Sequence, residues 1–391
     1  MILLAWAVAG LLTLIGALVC AELASAYPRT GGVYVFLKEI YSPSLGFLWG
    51  WAMLWTMHSG ILAAIATVFA RYAGFFLPLN DATTRVVAVS AIVVLSAINY
   101  GGVKFGGRVQ SAFTLVKVLA VFAIIILGFV LFDGRSPDPA VPFEAPPIGP
   151  ANFFLAVGAG LFAFGGWHMV TYTAEETVNP TTTIPRSLMI GIAIVTFCYI
   201  GLNLVYTLNL PMQSVMTSTR IAADTFAVLI GPQAAGAISA LVMFSAFGAL
   251  NGIVMVGPRV YYQMSQDGLW FRWAAHLHPA FQTPDRAIIL QALVASVLVA
   301  TGSYRALFTR VIYTEWIFFA LLALGVILLR KRPGYAPAWR MPLVPAAPML
   351  FVIVSLLIVA NQIRADWQNA AIGLAIVATG FPAYYLWSSR K

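Results

Sequence analysis

Apolar runs of about 18 residues or more, the length of helix that crosses a bilayer, recur from one end of this sequence to the other. A segment of that kind must satisfy its own backbone polar groups in lipid, and a helix does so without outside help. The chain is 61% hydrophobic and 9% charged, against about 25% charged in a soluble domain. It therefore reads as an all-α polytopic membrane protein whose 391 residues are nearly used up by the spans, with no room for a soluble domain.

Eleven helices are expected, near 2–26, 44–77, 84–100, 108–132, 151–175, 186–210, 234–263, 286–302, 307–330, 347–363 and 369–388. If the first runs from outside to inside, the inner loops and C-terminus hold about twice as many Lys and Arg residues as the outer loops. That bias places the N-terminus outside and the C-terminus in the cytoplasm, with the plasma (inner) membrane as the location. The net charge of +9 has the same origin. The basic residues are scattered over short loops, so they form no patch for nucleic acid. Cys20 and Cys198 both lie in spans, which excludes a disulfide framework and metal-ligand spacing. The N-terminus lacks a basic n-region, and its apolar run is longer than that of a cleaved signal peptide. "GGVKFGGR" (101–108) lacks the GK[ST] of a phosphate-binding loop and reads as a turn between spans. No nucleophile–base pair, metal cluster or cofactor fingerprint supports an enzyme.

The span near 151–175 is unusual. Gly158, Gly160, Gly165 and Gly166 fall close together, and the adjacent pair stands near mid-bilayer between Phe162, Phe164 and Trp167. Glycines let membrane helices approach closely. Adjacent glycines also weaken a helix by about 1 kcal/mol each, and bulky aromatics on both sides suit a gate over a cavity. Unwound backbone at that depth is tolerated where it lines a cavity or is buried in protein. Its freed N–H and C=O groups, with two half-helix ends, can hold a charged or zwitterionic solute. Phe162, Ala163, Phe164, Gly165, Gly166 and Trp167 are therefore read as a substrate-binding break.

Broken spans come in pairs related by an inverted repeat. The Pro-rich outer segment 133–150 leaves four spans before it; five follow over 151–332, then two more over 345–388. Residues 1–132 thus read as the remainder of a first repeat, and the fold as 5+5 inverted repeats plus two C-terminal helices, with 11 of the 12 expected spans.

The residues then resemble a known family: amino acid–polyamine–organocation permeases, in the L-type amino acid transporter-like branch. The resemblance rests on "CAELASAYPRTGGVYVFLKEIY" (20–41), "GGRVQSAFTLVKVLA" (106–120), "GLFAFGGWHMVTYTAEETVNPTTTIPRSL" (160–188), "FGALNGIVMVGPRVYYQMSQDGL" (247–269) and "HPAFQTP" (278–284). It covers essentially the whole chain. It implies a secondary transporter moving amino acids by alternating access, as a permease or exchanger. By the same alignment the family's first, Gly-rich helix has no counterpart here. A truncated, non-transporting paralogue and a polyamine or cationic amino acid antiporter are the alternatives.

Ionisable groups inside spans need a reason, since each costs a few kcal/mol to insert, roughly 2.5–3.5. Lys117 either snorkels to the inner headgroups or, as the resemblance implies, supplies a fixed ammonium where sodium-coupled relatives of the fold hold an ion. The latter makes transport sodium-independent. Glu315 is either hydrogen-bonded between helices or, by resemblance, faces the substrate cavity, favouring a cationic solute or carrying a proton. His168, like His58, is intramembrane, and is a proton-sensing candidate or a helix tie. Asn251 contacts substrate or ties helices; Trp55 reads as packing. Glu22 reads as structural, pairing with inner bases such as Arg29, while Glu175 and Glu176 are gate residues or solvated helix ends. Phe162, Phe164 and Trp167 suggest an apolar wall and a neutral amino acid; Glu315 argues for a cation or a proton. No cofactor is expected. Some relatives pair with a single-span glycoprotein through a cysteine, and this chain has none outside its spans.

Overall fold

The computed structural model describes residues 1–132, 134, 149–301 and 304–388, with side chains for all of these except 103–109 and 304–312. The expected Pro-rich segment 133–150 lies almost wholly outside the described residues.

Among the described residues the chain forms helices and no strand. The first half runs α1 (Ile2–Ala26), α2 (Val33–Ile40), α3 (Pro43–Ala52), α4 (His58–Ala73), α5 (Asp81–Tyr100) and α6 (Val103–Val130). A π-turn, Met53–Met57, joins α3 to α4 into one long span. The second half opens with α7 (Pro150–Ala163), a 3-10 segment (Trp167–Glu176), α8 (Pro180–Asn209), α9 (Met212–Thr217), α10 (Ile221–Leu229), α11 (Pro232–Val256) and α12 (Pro258–Gln266). It ends with α13 (Asp285–Thr301), α14 (Tyr304–Leu329), α15 (Ala346–Ala365), α16 (Trp367–Ala378) and α17 (Gly380–Ser388).

Nine segments among the described residues are long and apolar enough to cross a membrane. The remaining two expected spans coincide with α13, 17 residues packed between α4 and α5, and with α14. The protein is an all-α, multi-pass integral membrane protein. Sequence punctuation accounts for many of the boundaries. Pro43, Pro150, Pro180, Pro232 and Pro258 start α3, α7, α8, α11 and α12, where the missing N–H costs nothing. Asn80 and Thr83 form a reciprocal capping box at the start of α5. In "GGVKFGGR" only Gly101 and Gly102 make the turn, because α6 is already helical from Val103.

Burial is turned inside out relative to a soluble protein. Leu115, Leu119, Ile126 and Val130 are exposed on α6, as a lipid-facing stripe requires, while Thr13, Glu22, His58, His168, Gln291 and Glu315 are buried. Among the described residues most of the core is one cluster, in a bundle where α1 lies along α8, α4 along α11 and α14 along α15, and a smaller second cluster gathers around Phe226 of α10.

Two contacts clamp the end of the bundle richest in Arg and Lys, here the basic end. Glu22, fully buried, receives Arg330 Nε and Nη2 at 3.0 and 2.6 Å, the Met341 amide at 2.8 Å and the Tyr335 hydroxyl at 3.3 Å. This corrects the expected partner: Arg29 sits in an exposed loop and pairs with Glu39 at 3.0 Å. Hydrogen bonding to Glu22 holds the Arg330 guanidinium above its ordinary pKa, and burial pushes the Tyr335 hydroxyl up. Asp267, at the end of α12, accepts from Lys38 and Tyr34 of α2, each at 2.6 Å.

Candidate solute-binding site

The glycine-rich span is interrupted at mid-length. α7 stops at Ala163, Phe164 to Gly166 form a turn, and Gly166 takes φ +96°, a conformation that L side chains rarely adopt. The chain continues as the 3-10 segment. The four glycines divide between the two readings of them. A Cβ on Gly158 would strike Gln362, and one on Gly160 would lie 3.0 Å from the Ala9 Cβ, so these two permit helix packing. Gly165 and Gly166 instead make the turn: a Cβ on Gly165 would meet the Phe162 carbonyl at 2.9 Å, and Gly166 is held by its φ.

The turn leaves backbone groups free. Among the described residues, the amides of Gly166, Trp167 and His168 and the carbonyls of Phe164 and Gly165 take no backbone hydrogen bond. The Ala163 carbonyl is occupied, accepting the Tyr199 hydroxyl at 2.6 Å. Tyr199 also packs edge-on to Phe164 at 4.9 Å and against Trp6 at 4.9 Å, which pins the end of α7 to α8 and α1.

A cavity of about 740 Å³ opens beside the turn, bounded by α4, α6, α7, α8 and α11. Phe162, Ala163, Gly165 and Gly166 line it, with Met169 and Val170 of the 3-10 segment. Its surface is otherwise mainly apolar, and Lys117 is its one charged lining residue among those described. Lys117 makes no hydrogen bond or ion pair among the described residues, so its ammonium faces the space without a protein counter-charge.

The other expected site residues lie elsewhere. Phe164 is buried in the Trp6–Tyr199 stack. Trp167 fills the space beside Gly16 and packs on Phe319 at 4.9 Å. Asn251 is a tie: it accepts from Asn99 at 2.8 Å and donates to Gln110 at 2.9 Å, joining α5, α11 and α6. His168, on the broken span, and Glu315, on α14, are buried and do not line the cavity. Trp55 is 39% exposed and touches Trp51 at 5.8 Å, so it packs along one edge only.

At the basic end, Glu176 takes Arg259 Nε and Nη2 at 2.6 and 2.8 Å, and Glu175 accepts from Thr30 at 2.8 Å. A second cavity, about 670 Å³, lies against these side chains. Tyr199, Met169 and Cys198 on the main cavity, and Arg259 as the partner of Glu176, were missed from sequence. A tyrosine whose hydroxyl must find an acceptor inside an apolar span was the available signal for the first.

A family model described as amino acid permease matches residues 1–381. The chain belongs to this amino acid permease family. It is 31% identical to the serine/threonine exchanger SteT of Bacillus subtilis, over all of this chain and 89% of that protein. The human b(0,+)-type amino acid transporter 1 is 30% identical over all of this chain and 81% of its own length. The mouse large neutral amino acids transporter small subunit 2 is 31% identical over 98% and 73%. The permease is thus a secondary amino acid transporter or antiporter and not an enzyme, and its solute is an amino acid.

Proposed function

We propose that this permease moves a neutral amino acid by alternating access around the break at residues 162–166. The observation that carries the reading is the left-handed Gly166 turn opening on a cavity of about 740 Å³, with free amides on one side and free carbonyls on the other. A zwitterion supplies the complement: a carboxylate for the N–H groups at the start of the 3-10 segment, and an ammonium for the free Phe164 and Gly165 carbonyls of the turn. The apolar lining of Phe162, Met169 and Val170 suits an uncharged side chain. Lys117 on the wall disfavours a cationic solute, and Glu315, the residue that argued for one, does not line the cavity.

Lys117 acts as a fixed cation in place of sodium, so transport is sodium-independent. The bidentate Glu176–Arg259 pair and the Glu175–Thr30 contact form the gate at the basic end, which faces the cytoplasm of the plasma (inner) membrane together with the C-terminus. Rocking of the first-repeat helices (1–132) against those of 151–332 opens one gate as the other closes, with 345–388 as a scaffold. A return leg loaded with a second amino acid, as the names of the exchanger relatives suggest, fits the same cycle as net uptake. Whether a single-span accessory subunit assists is left to co-purification.

The test is uptake of a panel of labelled amino acids into proteoliposomes, in sodium and in choline buffer. Equal uptake of a neutral amino acid in both buffers, lost in Lys117→Ala, is expected. Intact uptake by Lys117→Ala with unchanged ion dependence overturns the role of Lys117. A preference for lysine or a polyamine overturns the neutral solute.

A further inference from the structure

The broken span has two faces. Gly165, Gly166, Met169 and Val170 line the solute cavity. His168 and Tyr172 of the same 3-10 segment do not line it and are buried with His58 of α4. The His58 and His168 rings lie 6.3 Å apart between centroids, and Tyr172 stands 5.7 Å from each. None of the four imidazole nitrogens makes a hydrogen bond among the described residues. Nor does Glu315 Oε1, on α14, and Glu315 makes no ion pair there. Phe319, one helical turn after Glu315 on α14, packs on the His168 ring at 4.9 Å, which turns the Glu315 face of α14 toward this cluster. Gln291 Oε1, itself unpaired, crowds the space beside Gly257 together with His58 Nδ1.

So many unpartnered polar atoms in one buried place call for an explanation. Intramembrane ionisable groups of this kind mark ion or proton pathways. The two imidazoles make no direct hydrogen bond to each other, so a proton passing between them needs an intervening water. A metal ion is a poor occupant, because no three of the described His, Cys, Asp and Glu residues converge on one point. A proton needs only one of them at a time.

We infer that His58, His168 and Glu315 form a proton-binding site that couples proton movement to amino acid movement. The inference rests on the reading of the Gly166 turn as the solute site. His168 follows Gly166 by two residues, so any swing of the 3-10 segment about that turn carries the imidazole toward or away from His58 and Glu315. The same swing reshapes the cavity, so a solute on one face and a proton on the other bias one hinge. One proton enters with the solute, is shared through water between the His168 imidazole and the Glu315 carboxyl, and leaves past Tyr261 toward the cavity at the basic end.

The surroundings supply few competing charges. Cys20 of α1 and Tyr261 of α12 face Tyr172. Cys198 and Tyr199 of α8 lie on the solute-cavity face, while Tyr34 and Lys38 of α2 are engaged by Asp267. The Arg259–Glu176 pair is at the far end of the 3-10 segment. Toward Glu315, α15 contributes the uncharged Ser355 and Gln362 to the core, and α7 and α16 carry no titratable residue.

The test uses the full chain in proteoliposomes with a pH dye in the lumen, and labelled L-serine and L-leucine as probes. Solute added outside should acidify the lumen. With one proton per solute, an imposed gradient of about 1 pH unit should raise accumulation about tenfold, since one unit is tenfold in proton activity. In Glu315→Gln, His168→Asn and His58→Gln the ratio of protons to solute should fall toward zero, whatever solute flux remains. Wild-type uptake with no lumen acidification and no response to the gradient overturns the inference and leaves the solute site standing. So does any of these variants with an undiminished ratio. Conversely, full L-serine and L-leucine transport in Gly166→Val, with proton movement retained, overturns the solute site and not the proton cluster.

Discussion

Replacing Gly166 with alanine isolates the turn from its surroundings. A Cβ there would meet only Met169 Sδ, at 3.7 Å, an ordinary contact, so the change adds no clash. What it adds is the cost of holding an L-residue at φ +96°, about 1–2 kcal/mol by the left-handed penalty. A straighter span escapes that cost, so the broken conformation loses population by roughly 5- to 30-fold. Uptake by Gly166→Ala in proteoliposomes, at a solute concentration well below half-saturation, should fall by that factor. Saturating solute should restore most of the rate, because binding pulls the span back into its broken form. Gly191→Ala is the control: it lies inside α8 with open space around it, and alanine there should stabilise the helix by up to about 1 kcal/mol and leave transport unchanged. Wild-type uptake by Gly166→Ala at low solute would refute the reasoning. So would an equal loss at low and saturating solute.

Two further outcomes follow from particular contacts. Glu22→Ala leaves Arg330 without its carboxylate; breaking a buried pair costs about 3–5 kcal/mol, and since Arg330 keeps 25% of its side-chain exposure a loss of about half that is expected. A melting temperature in detergent within a degree of wild type would contradict it. Cys198 lines the solute cavity, whereas Cys20 is fully buried. A small thiol reagent should label Cys198 first, and transported amino acid should slow that labelling; solute-independent labelling of Cys198 would remove the cavity from the transport path.

Helix positions were legible because the runs are long and apolar and the prolines mark their starts. The break was legible because adjacent glycines between aromatics conflict with the helix around them. Side-chain direction was not. In lipid both the surface and the interior are apolar, so the periodicity that separates the faces of a soluble helix is weak. That is why Phe164 and Trp167 were grouped with Phe162 although only Phe162 reaches the cavity. Asn251 had two open readings, and only the placement of Asn99 and Gln110 decides for the tie. Glu22 and Arg330 are separated by 308 residues, a pairing that local sequence cannot express.

The second half of the broken span has a length that depends on its winding. The ten residues from Trp167 to Glu176 are two 3-10 stretches meeting at a kink at Thr173, and the first of them, Trp167 to Tyr172, rises about 12 Å against about 9 Å in α form. Relaxing that stretch to α form would shift the acidic tip beyond the kink by about 3 Å. Glu176 grips Arg259 at 2.6 Å, so a fraction of that travel releases it. The segment proposed to cradle the cargo would thereby also act as a screw whose pitch sets the Glu176–Arg259 contact.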